Sequence, residues 1–140
     1  MSRRSARPTP LPDRTGPCPC GLDLSYPDCC GRLHDGRGSA ATAQALMRSR
    51  YSAFAVREEA YLLRSWHPTT RPPMVEFDDR QQWTGLVILG TTGGSLLHAE
   101  GTVEFRASYR IGGRTDAVEE NSRFLRTDGQ WTYLGPVPSA

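Results

Sequence analysis

The sequence predicts an α+β domain, in which N-terminal helices pack on one face of a curved antiparallel sheet behind a small cysteine-rich segment. Three observations support this fold class. Residues 39–66 have helical periodicity, the period changes to two after about residue 82, and Gly-Gly and Asp-Gly pairs divide the second half into hairpins. Helices followed by consecutive antiparallel strands are typical of an α+β domain.

The helical prediction depends on apolar side chains and on signals at the ends. Ser39 or Thr42 is expected to cap a first helix. Glu58 and Glu59 are expected to open a second, shorter one, which ends before Pro68 because the residue preceding a proline avoids helical geometry. One face of the first helix is apolar with a single basic member; it consists of Ala43, Leu46, Met47, Arg50, Tyr51 and Phe54.

Four strands are predicted after a proline-rich loop. The loop covers residues 68–82, the strands cover 83–89, 96–111, 114–127 and 130–134, and turns are expected at 90–94, 112–113 and 128–129. A chain of 140 residues suits one such domain. We expect a flexible tail over 1–16, a cysteine-rich segment over 17–38 and the α+β domain over 39–138.

Charge and hydropathy restrict the partners and the compartment. The net charge of +2 argues against nucleic-acid binding, although the N-terminal third contains the basic residues Arg3, Arg4, Arg7, Arg14, Arg32 and Arg37. No apolar stretch is long enough for a membrane span, and no apolar segment follows the first arginines as in a secretory signal. The sequence therefore predicts a cytoplasmic protein, in which cysteines more often bind metal than form disulfides.

The cysteines form the motif Cys18-Pro19-Cys20, eight intervening residues, then Cys29-Cys30. Four thiolates complete a tetrahedral zinc site and leave no position for a catalytic water, so the expected role of zinc is structural. Three alternatives stay open: disulfides or a redox pair, cysteines without a metal, and a site in which His34 replaces Cys30.

A polar constellation is expected inside the domain. Period two places Glu120 and Ser122 on the same face of the third strand as Val118 and Phe124, and a buried carboxylate needs a partner. Arg50 is the natural candidate, so we predict a salt bridge or hydrogen bond between Arg50 and Glu120. The predicted ligand pocket consists of Arg50, Tyr51, Trp66, His67, Glu120 and Ser122. The alternative is a structural ion pair in a filled core.

Two sets of motifs resemble known families. CPCG followed by CCG resembles the SEC-C motif, which implies zinc binding and contacts with other proteins. ALMRSRYSAF, YLLRSWHP, VEFRASY and ENSRFLRTDGQWTYLG resemble the YchJ family of uncharacterised proteins. This resemblance covers residues 17–135 and implies a nuclear-transport-factor-2-like, or cystatin-like, α+β cone. The stretch GLDLSYPD lacks the lysines usual in SEC-C segments, so binding of anionic partners is not carried over.

Two function hypotheses follow. The first is a non-enzymatic, zinc-stabilised module that binds another protein or a ligand, since no nucleophile–base constellation is recognisable. The second is a small-molecule enzyme or ligand-binding protein that uses the cone pocket around Arg50 and Glu120. An open interior cavity would favour the second hypothesis, and a filled interior would count against it.

Overall fold

A computed structural model of the chain describes residues 10–138, so Arg3, Arg4, Arg7 and most of the predicted tail lie outside the described residues. The elements in chain order are a 3₁₀ turn at Tyr26–Asp28, helices α1 (Cys30–His34), α2 (Ala43–Val56) and α3 (Glu59–Arg64), and strands β1 (Gln81–Gly93), β2 (Glu100–Ile111), β3 (Arg114–Thr127) and β4 (Gln130–Pro136). None of the described helices has the length and apolar character needed to cross a membrane.

The four strands form one antiparallel sheet in the order β1-β2-β3-β4, which confirms the predicted α+β class. The first turn of the prediction is wrong, because β1 continues through residues 90–93. Thr91 pairs with Val103 and Thr92 with Thr102, and the Thr92 and Thr102 hydroxyls lie 2.5 Å apart. β-Branched threonines suit a strand, so the chain reverses only over residues 94–99.

Gly94 marks the point where the helix layer meets this reversal. Its φ is +76°, and a Cβ built there would lie 2.8 Å from the Cβ of Ala43. Its carbonyl accepts a hydrogen bond of 3.0 Å from the amide of Ala43, the first residue of α2. The start of α2 is thus held against the end of β1 at a distance that only glycine permits.

We expect Gly94→Ala to lower the free energy of unfolding by about 2 kcal/mol, because alanine is strained at positive φ and collides with Ala43. Gly90→Ala is the matched control, since nothing lies within 4 Å of a Cβ at that position. Urea denaturation of both variants measures the difference. Equal stability would show that α2 does not need this close approach.

Thr42, rather than Ser39, caps α2: its hydroxyl oxygen accepts a 3.0 Å hydrogen bond from the amide of Ala45. Arg57 ends the helix in the left-handed conformation, with φ of 62°. α2 packs on the sheet on one side and on the cysteine-rich segment on the other. The resulting core is continuous and includes Cys18, Cys20, Tyr26, Cys30, Leu33, Leu46, Met47, Tyr51, Leu62, Val103, Phe105 and Phe124.

The chain that leaves α3 pairs with the last strand. The amide of His67 donates to the carbonyl of Tyr133 at 2.8 Å, and the amide of Tyr133 donates to the carbonyl of Ser65 at 2.9 Å. This parallel bridge brings the rings of Trp66 and Tyr133 to a centroid distance of 5.3 Å. The two rings therefore stand side by side at one end of the sheet.

Candidate metal centre and cone cavity

The four cysteines converge as the sequence predicts. The sulfur atoms of Cys18, Cys20, Cys29 and Cys30 all lie within 4.8 Å of one another, and those of Cys20 and Cys29 are 3.7 Å apart. Tetrahedral zinc with thiolate bonds of about 2.3 Å places its sulfurs about 3.8 Å apart, so the cluster fits such an ion. All four are free thiols, and 3.7 Å is far longer than a disulfide bond.

Backbone hydrogen bonds and a tight turn hold the cysteine cluster in place. The amide of Cys18 donates to the carbonyl of Leu24 at 3.0 Å, and the amide of Gly21 donates to the carbonyl of Cys18 at 3.2 Å. Gly21 has φ of +90°, which lets the chain turn sharply after Cys20. The 3₁₀ turn then leads into α1, so that Cys29 and Cys30 face the first pair.

The electrostatics of the cluster favour a cation. Hydrogen bonds from the thiols of Cys20 and Cys30 hold the pKa of Cys18 far below the ordinary thiol range. Burial, together with the charge on Cys18, raises the pKa of Cys29 to about 12, and hydrogen bonding to Cys18 raises the pKa of Cys30. One thiolate thus opposes ionisation of its neighbours, and four can coexist only around a metal ion.

His34 does not replace Cys30, because both of its ring nitrogens have other partners. Nε2 lies 2.8 Å from the carbonyl of Ser49, and a carbonyl only accepts, so Nε2 carries the proton. Nδ1 therefore accepts from the hydroxyl of Tyr26 at 2.6 Å. His34 is a buried link between the cysteine-rich segment and α2.

Further contacts dock the segment on the domain. Arg48 of α2 donates through Nη1 to the carbonyl of Cys20 at 2.8 Å. From α3, Arg64 donates through Nη2 to the carbonyls of Leu33 and His34, at 3.0 and 2.9 Å, at the end of α1. These charged donors bind carbonyls near the end of the Cys18–Cys20 turn and at the C-terminus of α1, where helix carbonyls lack intrahelical donors.

A second feature, the cone cavity, lies between α2 and the concave side of the sheet, with a volume of about 250 Å³. It is lined by Met47, Arg50, Tyr51, Phe54, Trp66, Trp83, Phe105, Ala107, Val118, Glu120, Ser122 and Tyr133. Five of the six residues predicted for the pocket are in this lining. The exception is His67, whose Nδ1 lies 2.8 Å from the hydroxyl of Thr69 in the following loop.

The predicted salt bridge or hydrogen bond between Arg50 and Glu120 is wrong. Among the described residues, Arg50 donates hydrogen bonds only through Nη1, to the carbonyl of Leu62 at 2.9 Å and to the hydroxyl of Ser65 at 2.7 Å. Its guanidinium carbon lies 4.7 Å from the ring centroid of Trp66 and 4.6 Å from that of Tyr133. The positive charge of Arg50 is therefore stabilised by cation–π contacts and by acceptors at the end of α3, rather than by a carboxylate.

Glu120 is held by two hydroxyl donors, both to the same oxygen. Ser122 donates to Oε2 at 2.6 Å, and Tyr133 donates to Oε2 at 2.7 Å. Tyr133 thus links the two charges, with its ring against Arg50 and its hydroxyl on Glu120. The sequence prediction omitted Tyr133, although the predicted turn at 128–129 places it opposite the inward-facing Phe124.

A larger hollow of about 440 Å³ includes Leu33, Gly38, Arg64 and Trp131 in its lining. Arg64 is the charged side chain among its lining residues. The guanidinium of Arg64 already donates to two carbonyls. The cone cavity is the better candidate, because aromatic walls and converging polar groups mark ligand sites.

The fold and the cluster define a class: an NTF2-like α+β domain preceded by a four-cysteine, SEC-C-type segment. The sequence profile described as "YchJ, middle NTF2-like domain" matches residues 42–136. A UPF0225 protein of Streptomyces avermitilis is 57% identical over 133 residues, which cover 95% of this chain and 91% of the relative. A UPF0225 protein of Ralstonia nicotianae is 42% identical, over 91% of this chain and 95% of the relative. The chain belongs to the YchJ, or UPF0225, family.

Two solved structures share the fold. The solution structure of a SEC-C motif containing protein from Rhodopseudomonas palustris has a TM-score of 0.74 and 32% sequence identity, and the match covers 88% of this chain and 98% of that one. The crystal structure of a SEC-C motif containing protein from Psychrobacter arcticus has a TM-score of 0.69 and 27% identity, over 88% and 82% of the two chains.

Proposed function

We propose that this chain is a non-enzymatic, cytoplasmic binding protein that takes a small molecule into the cone cavity and is stabilised by a structural zinc ion. The single observation that carries the proposal is the cavity itself. It has aromatic walls and contains a buried arginine and a carboxylate, each fixed by other side chains. A site with a rigid lining and a few placed polar groups is suited to binding.

Zinc is the metal we propose, because four thiolates around a buried point select a soft, tetrahedral ion. Both solved relatives are described as SEC-C motif containing proteins, which supports the same role. All four sulfurs would be ligands, so the ion would supply no open coordination site, and its chemistry would be limited to holding the segment. Elemental analysis of the purified protein, with one zinc per chain as the expected result, tests this part.

A binding role accords with how the polar groups of the cavity are held. The hydroxyl hydrogens of Ser122 and Tyr133 are directed to Glu120, and Arg50 is fixed by α3 and by two rings. The lining residues that the structure describes include no imidazole, thiol or amine that could act as a nucleophile or relay a proton, and the carboxylate is held by two hydroxyls. We therefore propose recognition, rather than turnover, as the function of the cavity.

Ala107→Leu tests the proposal. Ala107 is 3% exposed and lines the cavity, so a leucine there fills space that a ligand would occupy. Ala117→Leu is the matched control, because Ala117 is on the opposite face of the neighbouring strand β3. A panel of two-ring aromatic compounds with neutral, anionic and cationic substituents is titrated, and amide shifts are followed by NMR.

We expect members of the panel to shift lining residues of the wild type, and Ala107→Leu to weaken their binding at least tenfold, whereas Ala117→Leu retains it. The melting temperature of Ala107→Leu should not fall, since the leucine fills a void. If no compound perturbs the lining residues, or if both variants bind equally, the cavity is not a ligand site.

A further inference from the structure

The cone cavity contains one positive and one negative side chain, and neither neutralises the other directly. Arg50 is 4% exposed, and burial lowers its pKa to about 10, so it still carries its charge at neutral pH. No side-chain nitrogen or oxygen among the described residues is both fully buried and unpartnered. The Nε and Nη2 atoms of Arg50, which make no hydrogen bond there, therefore keep accessible surface.

Glu120 has a complementary free atom. Both of its donors bind Oε2, and Oε1 has no hydrogen-bond partner among the described residues. Oε1 is therefore an unused acceptor in the cavity lining, whereas Arg50 offers unused donors. The ring of Tyr133 contacts Arg50 and its hydroxyl contacts Glu120, so one tyrosine side chain connects the two groups, and both line the same cavity.

The presence of both Arg50 and Glu120 discriminates between ligands by the charge of the polar group that enters the cavity. An anionic group gains attraction from Arg50 but meets repulsion from Glu120, and a cationic group has the reverse problem. A neutral group with adjacent hydrogen-bond donor and acceptor satisfies both sides. Its acceptor faces the guanidinium and its donor faces Oε1, so no buried charge is left without a partner.

The rest of the cavity determines the body of the ligand. Tyr51, Phe54, Trp83 and Phe105 line it with rings, and Met47, Ala107 and Val118 complete the apolar walls. A volume of about 250 Å³ lies just below the range typical of drug-sized ligands. The space therefore suits a flat molecule of one or two rings, because planar bodies stack well on aromatic side chains.

We propose that the cone cavity binds a planar one- or two-ring molecule through a neutral amide-type edge, a carboxamide or a cyclic amide, placed between Arg50 and Glu120. This inference depends on the proposed function, since it names the ligand class of the same site. The acceptor oxygen of the amide takes a hydrogen bond from Arg50, and its N–H donates to Oε1 of Glu120.

Four compounds with the same two-ring body test the head group: 2-naphthamide, 2-naphthoate, protonated 2-naphthylmethylamine and methyl 2-naphthoate. The ester keeps the acceptor and removes the donor. We expect the amide to bind the wild type at least fivefold more tightly than each of the others in NMR titrations at pH 7.

Glu120→Gln tests whether the charge of Glu120 sets the order of affinities among these four compounds. It removes the negative charge and keeps an oxygen for the hydroxyls of Ser122 and Tyr133. We expect naphthoate to gain at least fivefold in affinity and the ammonium compound to lose as much. Glu104→Gln makes the same charge change on an exposed strand position and should leave the order unchanged.

The outcomes separate the two proposals. If none of the four compounds perturbs the lining residues, both the proposed function and this inference fail. If compounds bind but the anion or the cation is tightest in the wild type, one charge dominates and the amide-type edge is wrong. Equal affinity of amide and ester would also overturn it, because the donor to Glu120 would then contribute nothing.

Discussion

Cys20→Ser is expected to release the metal and to unfold residues 17–38. Cys20 is fully buried, and its sulfur belongs to the cluster within 4.8 Å. Zinc binding to structural thiolate sites contributes about 10–16 kcal/mol, as much as the whole stability of an ordinary domain. The segment has little apolar surface of its own, so loss of one ligand should leave it without a stable fold.

The α+β domain is expected to remain folded in this variant, because α2 keeps its packing on the sheet. It should nevertheless be less stable, since Tyr26 and Leu33 no longer cover the other side of α2. We expect the melting temperature of the domain to fall by about 10 °C or more. Hydrogen exchange should show lost protection in residues 17–38 and retained protection in β2 and β3.

Leu24→Ser is the control for this experiment. Leu24 lies in the same segment but is 51% exposed and is not a ligand, so its variant should bind one metal ion per chain and keep its protection. Chelation of the wild type should reproduce the Cys20→Ser pattern. Loss of protection throughout the sheet in one transition would show that residues 17–38 and 39–138 form one folding unit, against the predicted boundary. Full metal content in Cys20→Ser would exclude Cys20 as a ligand.

The cysteine cluster was predictable because the residues that form it are close together in the sequence. Four cysteines in two close pairs are typical of one shared metal site. Gly21 and the turn residues between the pairs let the chain fold back, so the two pairs can meet. The strand faces were predictable for a similar reason. Period two alone put Glu120 and Ser122 inward with Phe124, and Ser122 and Phe124 are buried.

The partners of the two charges were not predictable from that pattern. Periodicity places Arg50 and Glu120 on facing surfaces, but it does not specify the distance between those surfaces. Arg50 finds its acceptors at the end of α3, in Leu62 and the following Ser65, which are only 12 and 15 residues away along the chain. Glu120 finds one donor two residues along its own strand.

Tyr133 shows why register matters. β3 and β4 pair with an irregularity between Arg123 and Phe124, after which Phe124 lies opposite Tyr133. That irregularity lies beyond Tyr133, and regular pairs lead from the Asp128-Gly129 turn to Phe124 and Tyr133. A shift of one residue would move Tyr133 to the other face of the sheet, so this turn sets its inward position. What the sequence does not specify is the long-range bridge between Trp66 and Tyr133, and with it the contact of Arg50 with the Tyr133 ring.

His34→Ala is expected to cost about 3 kcal/mol in the free energy of unfolding, because it removes two buried hydrogen bonds and leaves a cavity. The imidazole joins Tyr26 to Ser49 and packs on Tyr61 at a centroid distance of 4.6 Å. His98→Ala is the matched control: His98 is exposed and, among residues 10–138, its ring hydrogen-bonds only to Ser95 in the same turn, so its loss should change stability by less than about 0.5 kcal/mol. Urea denaturation with metal content held constant measures both variants.

The pH dependence of stability gives His34 a distinct signature. Burial lowers the pKa of His34 in the folded protein, and the nearby charges of Glu58 and Arg14 are paired with each other at 2.6 Å. Below about pH 6.5 the unfolded chain binds a proton at His34 that the folded protein excludes. The free energy of unfolding therefore falls as the pH decreases, by up to about 1.4 kcal/mol per pH unit. Above about pH 6.5 it does not depend on the protonation of His34.

The difference in unfolding free energy between wild type and His34→Ala isolates this contribution. It should be constant from pH 7 to 8 and shrink as the pH falls below about 6.5, because the wild type loses the advantage of its neutral, hydrogen-bonded imidazole. A difference that grows on acidification would mean that His34 is protonated in the folded protein, which contradicts its donor–acceptor arrangement between Ser49 and Tyr26.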